Sequence, residues 1–217
     1  ATALEFTNRR QLQIATTQHN IVIGDSTAGE DMLTSEKTTI VGSRAGDQLT
    51  TADNCTFIGA DAGGAATDQD NCTYVGNAAG IAAAYANGTA VGSGALSGSP
   101  GSNCTALGYE ALGGSFSGTS SVRVGVECLD AGDADNSVGV GYRALTACTA
   151  NDSTALGYQA GLALTSGTGC TFVGKGANTS AATQINQTAI GCNSTSALPN
   201  EMVLGDSSVH SIRPGSA

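Results

Sequence analysis

The sequence predicts an all-β fold: a parallel β-solenoid, or β-roll, of about twelve coils of 16–17 residues. Three observations predict it. A short motif recurs twelve times at near-constant spacing. Alternate positions within the motif keep their chemical character from copy to copy. The composition lacks the large apolar residues that a thick core would require.

The motif is plainest at NCTFIG (54–59), NCTYVG (71–76), NCTALG (103–108) and STALG (153–157). Its last glycine, taken as position 0, recurs as Gly24, Gly42, Gly59, Gly76, Gly92, Gly108, Gly125, Gly141, Gly157, Gly174, Gly191 and Gly205. A helical repeat needs over about 30 residues, so a period this short fits one turn of a solenoid. Eleven steps of about 4.8 Å make a body on the order of 53 Å long. The organisation expected is an N-terminal connector at 1–19, the repeat domain at 20–209 and a C-terminal tail at 210–217.

Position −1 is always aliphatic, from Ile23 to Leu204, and position −3 is Thr in eight copies. Alternate strand residues share a face, so these two columns point together. Ile21, Val122, Val138 and Met202 in the −3 column suggest that this face lines the coil interior. Position −2 then points outward, and ten of its twelve members are apolar. A stripe of exposed apolar side chains marks an interface. The expected oligomer interface is therefore Val22, Ile40, Phe57, Tyr74, Arg123, Phe172 and Val203, with Cys55, Cys72, Cys104 and Cys170 of the −4 column on the same outer face. One seam per chain favours a parallel homotrimer. Arg123, the one charge in that column, stands a coil before Gly139, its one glycine. A long side chain entering the interface would use the space that Gly139 leaves, and would turn to a carboxylate such as Glu127 or share an anion.

Asn stands at −5 in seven copies, suited to a left-handed corner and to a stacked amide ladder. Ala stands at +3 in eight, as a packed corner requires. The glycine at 0 implies a backbone conformation closed to other residues, or close approach of a neighbouring coil.

The bulk numbers exclude several functions. Net charge is −10, with eight Lys and Arg dispersed along the chain, so no basic stripe exists for nucleic acid. No apolar run approaches the roughly 20 residues of a membrane span, so membrane insertion is not expected. Seven Cys without a CxxC pair, and two His, do not make a zinc site. Seven reduced thiols suit assembly in a reducing compartment.

Candidate chemistry is sparse. Glu110 and Glu127 share the +2 column, and paired carboxylates on adjacent coils are what a retaining glycosidase uses. The same column continues with Arg143, and earlier sets Arg44 beside Asp61, which reads as charge pairing on a solvated ladder. Tyr109, Tyr142 and Tyr158 follow the glycine, and such a row could contact glycan rings. His19 and His210 lie far apart. The acidic loops 67–70 and 130–135 match no complete calcium loop. The Asn-Cys-Thr sequons belong to the repeat itself. No catalytic residue, metal ligand or cofactor is expected. A regular Thr face would also suit ice binding, but here the Thr column is expected to point inward.

The motif N-[CST]-T-φ-φ-G-x-x-A resembles the repeat of trimeric autotransporter adhesin heads, which are left-handed parallel β-rolls that trimerise. The variants Gly108-Tyr109-Glu110-Ala111-Leu112 and Gly141-Tyr142-Arg143-Ala144-Leu145 resemble repeats in phage tail fibres. Residues 200–217 look like the segment preceding the self-cleaving intramolecular chaperone of such fibres. The resemblance implies a non-catalytic, trimeric fibre segment of a virion, assembled in the host cytoplasm and attaching to a host-surface glycan or protein receptor. A bacterial adhesin head, a glycan-degrading tailspike and an ice-binding β-helix are the alternatives.

Overall fold

The computed structural model describes residues 10–15, 18–25, 27–29, 34–82, 86–98, 101–114, 117–128, 134–146 and 148–209. Among the described residues there is no helix; the elements are short strands. Strand β1 (Arg10–Ala15) precedes β2 (Asn20–Asp25). Then come β3 (Thr39–Val41), β4 (Thr56–Ile58), β5 (Thr73–Val75), β6 (Thr89–Val91), β7 (Thr105–Leu107), β8 (Val122–Val124), β9 (Val138–Val140) and β10 (Thr154–Leu156). The last coils add β11 (Ser166–Thr168), β12 (Thr171–Val173), β13 (Asn178–Thr179), β14 (Thr183–Ile185), β15 (Thr188–Ile190), β16 (Thr195–Ser196) and β17 (Met202–Leu204).

Each motif supplies one strand directly before its glycine. These strands lie side by side in chain order in one 13-stranded sheet, parallel from β2 onward. Register never slips: Thr56, Phe57 and Ile58 oppose Thr73, Tyr74 and Val75. The −3 amide donates to the −4 carbonyl of the following coil, as Thr56 to Cys72 at 2.8 Å. The glycine amide donates to the −1 carbonyl of the preceding coil, as Gly76 to Ile58 at 2.8 Å. Coil length varies, and the loops absorb the difference. β1 runs antiparallel to β2, from Arg10 opposite Asp25 to Ala15 opposite Asn20. Part of the expected connector thus closes the N-terminal edge of the stack, where the parallel order stops. Two small parallel ladders, β11–β14 and β13–β16, form other walls of the last coils.

The expected parity is inverted. Position −2 faces the interior: Val22, Ile40, Phe57, Tyr74, Arg123 and Phe172 are buried within the chain's own coils, and Val203 in the last strand is half-buried. They are core residues, not an outer interface. Cys55, Cys72, Cys104 and Cys170 at −4 are buried on the same side. Positions −1 and −3 face outward; Leu156 is 49% exposed and Ile23 44%. The physical reason is volume. The coil is narrow, and one inward side chain per strand, met by the +3 and +4 residues of the turn, fills it.

In six coils that filling is compensated within the coil. Three with a large −2 residue have glycine at +4: Ile40 with Gly46, Phe57 with Gly63, Tyr74 with Gly80. A Cβ at Gly80 would lie 2.6 Å from the Tyr74 ring. Three with a small −2 residue have leucine at +4: Ala90 with Leu96, Ala106 with Leu112, Gly139 with Leu145, all three leucines buried. These leucines hold φ of +53° to +56°, a left-handed conformation that costs about 1 kcal/mol or more. Core filling outweighs that local cost.

The corners behave as the columns imply. All eight +3 alanines are buried, as are Cys128 and Ser194 at the same position. Asn54, Asn71, Asn87 and Asn103 have φ of +58° to +64°. Their amides bond from coil to coil at 3.4, 3.2 and 3.1 Å, and Asn136–Asp152 and Asn186–Asn200 continue the pattern. The glycine at 0 meets both requirements at once. Gly59 has φ +136°, and a Cβ there would sit 2.3 Å from the carbonyl oxygen of Gly76.

Candidate interaction surfaces

The outer face of the large sheet carries two parallel columns. One is aliphatic, with Ile23, Ile58, Val91, Leu156, Ile190 and Leu204 among its most exposed members. The other is the Thr column, from Thr39 to Thr188, half-buried or exposed throughout. Together they make a continuous, uncharged, partly apolar strip along the stack.

A second surface lies just past the glycine. Tyr109, Tyr142 and Tyr158 are all exposed there. Tyr142 and Tyr158 stack, with centroids 5.4 Å apart and planes at 23°, so each hides one ring face against the other. Tyr109 stands two coils before Tyr142, with Val126 between. Its hydroxyl donates to the Glu110 carboxylate, which raises the phenol pKa above its ordinary value.

Of the two glutamates in the +2 column, Glu127 follows the charge-ladder reading, and Glu110 instead accepts from Tyr109. Glu127 forms an ion pair with Arg143 at 3.6 Å, and Arg44 pairs with Asp61 at 2.7 Å. Asp70 and Asp135 in the acidic loops accept backbone amides of Asp53 and Thr119 across coils, at 2.8 and 2.6 Å. The loop stretch 130–133 and His210 lie outside the described residues, and His19 is exposed. The sequon residues Asn54, Asn71 and Asn103 are engaged in the amide ladder.

Inside the coils lie two unusual groups. Cys55 and Cys72 stack in adjacent coils. Cys72 receives hydrogen bonds from the Cys55 thiol, the Tyr74 hydroxyl at 3.3 Å and backbone amides; these hold its pKa below the ordinary thiol value, against the opposing effect of burial. The Cys55 thiol is pushed up by the same contact with Cys72 and by burial. All seven cysteines are free thiols, and six are buried.

Arg123 is the other. Its Nη1 donates to the carbonyls of Val122, at 2.9 Å, and Ser137. Its Nε and Nη2 have no hydrogen-bond partner. Burial lowers its pKa, and the thiols of Cys128, Cys148 and Cys104 oppose that shift. Gly139 does make the room: a Cβ there would lie 3.0 Å from the Arg123 Cδ and 2.8 Å from the Cys128 sulfur. That room is in the core, not in an interface, and Glu127 has its partner in Arg143.

Fold and surfaces together define a parallel β-solenoid repeat protein with one long uncharged outer strip and one aromatic patch. No family model matches the chain, and neither the curated proteins nor the solved structures contain a match.

Proposed function

We propose that this chain is a non-catalytic segment of a phage tail fibre, in which three parallel copies pack along the outward −3/−1 strip and the assembled rod contacts a host-surface receptor. The observation that carries the reading is the aliphatic −1 column, half-buried or exposed in every coil from Ile23 to Leu204. Strand preference admits Thr, Tyr and Phe at −1 as readily as Val and Ile, so a uniformly aliphatic −1 column needs a further reason. A side-by-side partner supplies one. The threonines alongside offer a methyl to such an interface and can bond through their hydroxyls. The fibre-like repeats support a virion over a bacterial adhesin head, as does the thiol content, which suits assembly in a reducing host cytoplasm.

Sedimentation of the wild-type chain is expected to give three times 21.3 kDa. Replacing Leu156 with Asp puts a charge on the strip without touching the core. It is expected to give a folded monomer. A wild-type monomer overturns the trimer.

One observation favours a second reading. The Thr column points outward in a regular ladder, so the ground for setting ice binding aside, an inward column, is gone. The two readings compete for one face, since a trimer covers it. A monomer with thermal hysteresis would select ice binding.

A further inference from the structure

Among the described residues, every exposed aromatic belongs to the row after the repeat glycine. That row reads Tyr109, Val126, Tyr142, Tyr158 over four successive coils. The 5.4 Å separation of Tyr142 and Tyr158 is close to one coil step of about 4.8 Å. Their rings therefore lie across the long axis, and the free face of Tyr142 looks along the axis toward Val126. Valine is shorter than tyrosine, so a notch opens over it. Tyr109 bounds the notch on the far side, two coil steps or about 10 Å from Tyr142. The neighbouring +2 column places the Glu127–Arg143 ion pair beside it.

We propose that this notch holds one pyranose ring of a surface glycan, clasped between Tyr109 and Tyr142 over Val126. The proposal rests on the receptor-binding part of the reading above and names its contact. A ring midway lies about 5 Å from each tyrosine, where C–H groups standing off both faces of a saturated ring reach the aromatic carbons. The ion pair supplies acceptors and donors for hydroxyls without net charge. A cationic ligand would have to compete with Arg143 for Glu127, so the flank suits a neutral polyol. A flat platform of three exposed ring faces does not fit, because Tyr142 and Tyr158 cover one another.

Val126→Tyr separates clasp from platform. It fills the notch and completes the aromatic stack, so a clasp loses its ligand and a platform gains area. The probes are methyl glucoside, methyl galactoside, methyl mannoside and N-acetylglucosamine, with tetramethylammonium as the cationic control, read by saturation-transfer NMR. At least one pyranoside is expected to bind the wild type. That binding is expected to fall roughly tenfold in Val126→Tyr and in Tyr109→Ala, with thermal melting unchanged. Binding kept or improved in Val126→Tyr overturns the clasp, as does binding of tetramethylammonium alone or of no probe. Sedimentation of the same samples keeps the outcomes apart: a trimer that binds no pyranoside removes the clasp and leaves the fibre standing.

Discussion

Two coils meet the same packing requirement in opposite ways. At Phe57 the inward residue is aromatic, stacked on Tyr74 of the next coil with centroids 5.2 Å apart. The matching +4 positions, Gly63 and Gly80, are emptied to admit the rings. At Arg123 the inward residue is a guanidinium, and the emptied position is Gly139 of the next coil. Both side chains are fully enclosed. The first removes apolar surface from water, a gain of about 25 cal/mol per Å². The second encloses a charge with two nitrogens unpartnered and no carboxylate among the groups acting on it. The coil interior thus screens side chains by volume first. It accepts an unfavourable charge where neighbouring coils supply the space and the stability.

Of the two coils, the one built on Phe57 is the more sensitive to lost volume. Phe57→Ala leaves a cavity beside Gly46 and Gly63 that no neighbouring side chain can fill. Urea unfolding is expected to show a loss of about 3–5 kcal/mol. A loss below about 1 kcal/mol would mean that the coil collapses around the gap and that volume is not the controlling variable.

Arg123→Met keeps the length and removes the charge. The expected change is a gain of about 1–4 kcal/mol, because burying the guanidinium costs more than its two carbonyl bonds return. A loss instead would show that the bonds to Val122 and Ser137 dominate, and the two coils would then differ less than their burial suggests.

The smallest effect is expected at Gly139. Gly139→Ala forces a methyl against the Arg123 stem and the Cys128 sulfur, for a loss of about 1–3 kcal/mol. In the Arg123→Ala background the same change should cost less, because the pair then matches the Ala90–Ala106 arrangement of earlier coils. A double-mutant cycle measures the difference. An additive result would show that Gly139 is kept for a reason other than Arg123.

Much of this architecture could be read from the residues. The period, the strand before each glycine, the left-handed Asn corner, the Asn ladder and the packed alanine column all follow from steric rules acting on single positions. The inside and outside of the strand did not. Alternation states which residues share a face, but −2 and −1 are both apolar, so polarity cannot tell which face is enclosed. The deciding signal was present in a different register. Glycine at +4 accompanies Ile40, Phe57 and Tyr74, and leucine at +4 accompanies Ala90, Ala106 and Gly139. Side chains that trade volume with one another must share an enclosed space. The −1 column, uniformly aliphatic, trades with nothing.

The candidate surfaces divide in the same way. The charge ladder of Glu127 with Arg143 was legible from the +2 column, since stacked coils bring equal positions together. The Tyr row was legible as a row, but its ring orientation was not, because a side-chain torsion about the Cα–Cβ bond leaves no trace in sequence spacing.

A stack of β-coils with fixed register follows from the residues alone, since the repeat glycines from Gly24 to Gly191 meet a neighbouring coil too closely for a side chain and the −5 asparagines tolerate the left-handed corner. Packing between coils settles which column is core and which is surface, that Arg123 is enclosed, and that Tyr142 shows one face instead of two. Those depend on how volumes share a closed space, a property of neighbouring coils together and of no single position.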